Sequence, residues 1–273
     1  MDKTGGIEFY IKLKALKEEL ESDDNAFDKL KEALEKVSDK FITNGKAVYS
    51  VACDAESYEK IKAIPLPMSA VLTDSLQSAN CALLNGNIAL SAPCDIVFNG
   101  YSFNADDKLN AGKLLLAKKI LSLEYLWQKI RVENGAYGCG ATPNAAKRLD
   151  MWSYRDPQIR STLRTFEQAA EYLSGLQLSD RALEDYIISV VRGLDNPQLP
   201  RTAAYIASIF TLVGKSDDAL QKERDELLSA TLGDINDIGK ALEKSVNSAS
   251  YCTVGSAENI ERNADLYDEV LKV

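Results

Sequence analysis

Residues 131–140 read RVENGAYGCG, with an arginine and a tyrosine six positions apart across an Asn-Gly pair. An arginine guanidinium stays protonated and carries its donors in a fixed fork. An unperturbed tyrosine hydroxyl, with a pKa of about 10, is a donor at neutral pH. Arg131 and Tyr137 converging on one point can polarise a carbonyl or hold an oxyanion; losing one such donor raises a barrier by about 3–4 kcal/mol. Neither takes up a proton readily at pH 7, so the pair can assist a reaction but is poorly suited to start one. Gly135 and Gly138 let the backbone turn sharply and approach another group, which would shape the site. A plainer reading uses the same residues. An arginine at a helix C-terminus complements the dipole, a strand tyrosine packs its ring with the hydroxyl at the rim, and glycines make turns. Spacing alone leaves both readings open.

The chain of 273 residues contains no histidine. That removes Ser-His-Asp and Cys-His nucleophile systems and zinc-peptidase helices built on paired histidines. No Gly-x-x-x-x-Gly-Lys-Ser/Thr phosphate loop occurs. The cysteines at 53, 81, 94, 139 and 252 are odd in number and irregularly spaced. They read as reduced, mostly buried thiols of a cytoplasmic protein and not as a disulfide framework or a zinc ligand set. No cofactor is expected in this chain, and any catalytic metal must come from sequence outside it. The net charge of −9 opposes nucleic-acid binding, which needs clustered Lys and Arg, and equally an anionic membrane surface. No apolar run reaches the ~18–20 residues of a membrane span. MDKTGGIEFY carries no basic segment followed by an apolar one, so no secretory signal is expected. With 45% apolar and 27% charged residues, the composition is that of a packed globular protein.

The elements that would position the pair follow from periodicity. Apolar residues at 9, 13, 16 and 20 predict a helix over 7–21. Phe27, Leu30, Leu34, Val37 and Phe41 predict a second, from Asp24 to about Ile42, ended by Asn44-Gly45. KAVYSVACD (46–54) reads as a strand, AESYEKIKAI as a short helix, and 64–79 as a linker. Strands are expected at about 81–90 and 94–103. A long helix, introduced by Asp106 and Asp107, then runs to about Trp127, followed by Arg131. Tyr137 begins a strand that ends at Thr142, and LDMWSYR (149–155) forms another. RDPQ (155–158) starts a helix, with Asp156 as cap and Pro157 at the first helical position. Helices follow from Ser179 and over 200–213, 216–229 and 232–247, the last with Thr231 and Asp234 in a capping pattern. SASYCTVG is a short strand, and Ser256 opens a terminal helix. The order predicts an α+β fold, antiparallel or mixed sheets covered by helices on one face. The spacing of Trp152, Tyr154 and Phe166 predicts core packing and not an aromatic platform.

The segment YLWQKIRVENGAYGCG (125–140) resembles the C-terminal half of the pitrilysin/insulinase-type zinc metallopeptidases, above all their presequence-protease branch, which carries R-V-x-G-G-A-Y-G after a helix ending Y-L-W-x-x-I. SYRDP (153–157), LDNPQLP (194–200), a late strand with VG before a helix (254–270) and the N-terminal TGGIEFY match in order. The resemblance implies a clamshell of four related α+β domains in two halves. This chain would supply the remnant of a preceding domain (1–63), a linker (64–79) and a complete C-terminal domain of α/β-roll type (80–273). It implies a catalytic zinc bound by an N-terminal half, which would be a partner as a covalent neighbour or a subunit, and a peptide substrate. Arg131 and Tyr137 would then reach the peptide at its scissile bond. The chain alone is expected to be inactive; the alternative is a non-catalytic scaffold or peptide-binding half. Asn134 stands where that branch has the first glycine of a pair, and asparagine tolerates left-handed backbone, so the turn is expected to persist.

Overall fold

The computed structural model describes residues 6–43, 49–65, 86–94, 96–103, 109–143 and 148–272. By packing, the chain divides into two units, Met1–Leu84 with Gln198–Lys215, and Asn85–Pro197 with Ser216–Val273. Most of the expected linker, the Asn44-Gly45 helix end, the Asp106-Asp107 helix start and Cys81 lie outside the described residues.

The first unit is helical. Its elements are α1 (Gly6–Ser22), α2 (Ala26–Ser38), continued by a π-helical turn Asp39–Thr43, and α3 (Ala55–Lys62). A later helix, Pro200–Leu212, completes it and is numbered α7 in chain order. Asp54 caps α3 by accepting a hydrogen bond from the Ser57 amide at 2.8 Å. Residues 49–54, read as part of a strand, form none. Val and Tyr favour extended backbone only where a partner strand exists to pair with, and among the described residues none pairs with them. The apolar stripe of α2 and its π-helical continuation (Phe27, Leu34, Val37, Phe41) is exposed.

The second unit holds the sheet. Its strands are β1 (Ile88–Ser91), β2 (Phe98–Phe103), β3 (Gly138–Pro143), β4 (Leu149–Tyr154), β5 (Ser250–Gly255) and β6 (Glu269–Lys272), in the order β3-β4-β2-β5-β1-β6. Pairs β3–β4, β4–β2 and β2–β5 are antiparallel; β1 runs parallel to both β5 and β6. Alternation sets the two faces. Tyr101, Phe103, Leu149 and Met151 enter the core beneath the helices, while Phe98, Ser102, Asp150, Trp152 and Tyr154 point the other way. The expected α+β sheet with a helical cover is therefore the fold. The terminal helix, expected to reach 270, stops early as α10 (Ala257–Glu261), and β6 takes the chain end.

The cover comprises α4 (Ala111–Ile120), α5 (Ile159–Ser174), α6 (Asp180–Leu194), α8 (Asp217–Leu228) and α9 (Leu232–Glu243). α4 does not end at Trp127. It continues as a π-helical run, Leu121–Glu133, so that Arg131 lies in its last turn and not beyond it. Leu114, Leu116, Ala117, Ile120, Leu121, Leu126 and Ile130 are all buried, which explains a sequence apolar on most of its circumference. Gln158, and not Asp156, occupies the cap position of α5, and its side chain makes no capping bond. Ser179, Thr231 and Ser256 cap α6, α9 and α10 as expected, Thr231 with Asp234 in a reciprocal capping box.

Candidate functional site

Three local features carry Arg131 to Tyr137. The long helix ends at Glu133, and the Asn134 amide closes it on the Lys129 carbonyl at 3.2 Å. Gly135 then takes φ +80°, the left-handed value that reverses the chain cheaply only for glycine. The Ala136 amide bonds back to the Ile130 carbonyl at 3.0 Å, and β3 begins one residue after Tyr137. Register does the rest. Gly138 faces Tyr154 across the antiparallel β3–β4 pair, so Tyr137 falls opposite Arg155. The Tyr137 amide donates to the carbonyls of both Tyr154 (3.1 Å) and Arg155 (3.3 Å).

The structure therefore brings Arg131 and Tyr137 together. An Nη of Arg131 donates to the Tyr137 carbonyl. The guanidinium carbon lies 4.5 Å from the Trp127 ring centroid and 5.7 Å from that of Tyr137. Both distances are within the reach of cation–π attraction, ~6 Å. Trp127 and Arg131 are four residues apart and so share a helix face. Tyr137 is 61% exposed. Glu133 is engaged with Lys129 at 3.0 Å and does not neutralise Arg131.

Sequence reasoning misplaced two details. Asn134 is right-handed (φ −91°, ψ −11°) and needs no left-handed tolerance; its side chain bonds the Ser161 hydroxyl at 3.1 Å. Gly138, expected to shape the site, has no positive φ, and a Cβ there would meet Trp152 at an ordinary 3.6 Å. The glycine that the indole requires is Gly140, where a Cβ would lie 3.1 Å from the ring. Of the three aromatics expected in the core, only Phe166 is buried there; Trp152 is half-buried and Tyr154 exposed, both on the opposite face of the sheet.

Three further side chains belong to the cluster: Trp127, Tyr154 and Arg155. Tyr137 and Tyr154 meet edge to face, 6.1 Å between centroids, and Arg155 lies 5.6 Å from each ring. YLW and SYR were visible as motifs, but nothing local joins residues 127 and 155. Cys139, next along β3, is no nucleophile. Burial, with the Asp156 charge in support, pushes its thiol up to about 11, and it donates to the Leu126 carbonyl at 3.2 Å. With no histidine in the sequence, and no group of three or more Cys, Asp or Glu able to hold a metal among the described residues, those residues do not fit a zinc ion. The site offers donors and aromatic surface.

A profile of the family described as the PreP C-terminal domain matches residues 93–257. Protein HypA of Clostridium perfringens is 26% identical over 277 residues, covering 100% of this chain and 28% of that protein. Presequence protease 1, chloroplastic/mitochondrial, of Arabidopsis thaliana is 23% identical over 95% of this chain and 24% of that protein. The mitochondrial presequence protease of Xenopus tropicalis is 32% identical over 53% of this chain and 13% of its own length. The chain thus spans no more than 28% of these relatives. Among solved structures, a protease from Helicobacter pylori matches with TM-score 0.56 and 12% identity over 74% of this chain and 52% of that one. A peptidase M16 inactive domain from Pseudomonas fluorescens matches with TM-score 0.52 and 13% identity over 75% and 52%. At such identities the likeness concerns the fold.

Proposed function

This chain belongs to the PreP C-terminal domain family, and on that premise we propose that it is the C-terminal portion of a zinc-dependent peptidase degrading peptides in a closed chamber. In this reading an N-terminal half is its partner and holds the zinc, for which the described residues gather no ligand set. This chain supplies donors to the substrate. The observation that carries the reading is the convergence of Arg131 and Tyr137 in one exposed cluster inside the matched segment.

Arg131 spends one donor on the Tyr137 carbonyl. A guanidinium has five, so others remain for a peptide carbonyl. The Tyr137 hydroxyl, on an exposed ring, adds another donor. Both would hold the substrate carbonyl and strengthen their bonds as charge develops on its oxygen, which lowers the barrier without moving a proton. In the enzyme assembled with its N-terminal half, Tyr137→Phe is expected to lower kcat about 10²-fold with little change in KM. Unchanged turnover on a peptide substrate would remove Tyr137 from the reaction.

A second reading is favoured by the same hydrogen bond. In a non-catalytic scaffold half, Arg131 merely ties the helix end to the following strand. Arg131→Ala would then lower the Tm and leave the assembled enzyme's kcat unaltered, whereas the first reading expects kcat to fall.

A further inference from the structure

Arg155 stands at the bend between β4 and α5 with φ 49°, alone among the described non-glycine residues in the left-handed region. There the Cβ crowds the following carbonyl, and a long side chain is a rare occupant. Such a residue persists only where its surroundings over-determine it. They do so here. Asp156, the next residue, is 1% exposed. Its carboxylate accepts from Asn99 Nδ2 at 3.2 Å and from the Gln158 amide at 2.9 Å. Its amide donates to Val97 at 3.2 Å, while the Arg155 carbonyl accepts from Tyr137.

Glycine would hold this bend with less strain, so the arginine is explained by where the bend aims it. With Asp156 turned into the core, the Arg155 guanidinium lies 5.6 Å from the ring of Tyr137 and 5.6 Å from that of Tyr154. The phenol of Tyr137 thus has Arg131 and Arg155 within cation–π reach, and an edge-to-face neighbour in Tyr154. We propose that Arg155 is a positioning residue for Tyr137: it fixes the ring so that the hydroxyl meets the substrate carbonyl. The inference rests on the role proposed above for Tyr137.

The test uses the enzyme assembled with its N-terminal half. Arg155→Gly removes the guanidinium and relieves the backbone, so its Tm is expected to equal or exceed that of the parent. Its kcat is expected to fall about 10-fold at unchanged KM, since small displacements of a catalytic group are costly. Arg155→Lys, which keeps a cation near the rings, should restore part of the loss. In a Tyr137→Phe background, Arg155→Gly should cost nothing more, because no hydroxyl is left to aim. An undiminished loss in that background, or an unchanged kcat where Tyr137→Phe alone slows turnover, overturns the proposal and leaves Tyr137's role standing. Unchanged turnover in Tyr137→Phe overturns that role instead, and the ring itself then decides. In NMR spectra of the 273-residue chain, Arg155→Gly should shift and average the Tyr137 ring resonances; unaltered resonances overturn the positioning.

Discussion

Asn134 and Gly135 divide the work of a single turn. The asparagine stays right-handed and reaches across to Ser161, while the glycine alone reverses the chain at φ +80°. A Cβ on Gly135 would meet nothing nearer than Pro157 Cγ at 3.9 Å, so room is not the issue. Gly135→Ala is therefore expected to destabilise through backbone strain alone, by about 1–2 kcal/mol. Gly135→Asn should cost less, because asparagine visits this region more readily. Urea denaturation of both variants checks the order, and parental stability of Gly135→Ala would contradict the positive φ. The dipeptide announced a turn. Which of its residues turns left-handed was not legible, because the choice depends on a bond to Ser161, 27 positions away. The same limit hides the need for a glycine at position 140, since the indole lying on it comes from another strand.

At the level of elements, local chemistry read well and pairing did not. Ser179, Thr231 and Ser256 cap helices by bonding amides three residues on, and such signals are complete within a short stretch. β6 is a four-residue edge strand created by its partner β1. Its sequence EVLK carries too short a pattern to announce it. Residues 49–54 err the other way, with strand propensity and, among the described residues, no strand to join. Helix packing adds a contrast that the sequence hides, since two helical glycines look alike on paper. Gly239 in α9 lies against α5, and a Cβ there would sit 2.2 Å from the Ser174 amide nitrogen, a backbone atom that cannot swing aside. Gly193 in α6 has nothing within 4 Å of that position. Gly239→Ala is expected to cost about 3 kcal/mol, as an overpacked helix contact. Gly193→Ala should raise stability by about 0.5–1 kcal/mol, the helix propensity gained. Opposite signs in thermal melts support the α5–α9 contact; a neutral Gly239→Ala would show that the two helices do not meet there.

For the whole molecule, the deciding contrast is between what the site offers and what the proposed peptide hydrolysis would need. The helix end, the Gly135 turn and the β3–β4 register bring Arg131, Tyr137, Trp127, Tyr154 and Arg155 to one place. Every polar group in that set can donate a hydrogen bond, and burial pushes the nearby Cys139 thiol up. The motif made Arg131 and Tyr137 legible as a pair. The absence of histidine is the reason the proposed reading assigns the metal and base to other sequence. Arg155 stayed hidden because only strand register connects it to them. The proposed division between this chain and an N-terminal half is testable. Zinc sites need three or four converging histidine, cysteine or carboxylate ligands, and the described residues gather no such group. The purified chain, dialysed against zinc, is expected to retain a substoichiometric amount and to leave peptide substrates uncut. Adding the N-terminal half should produce cleavage that a chelator abolishes and that Tyr137→Phe weakens. Stoichiometric zinc together with chelator-sensitive cleavage by this chain alone would mean that it carries its own catalytic centre, and the division of labour argued from its donors would be wrong.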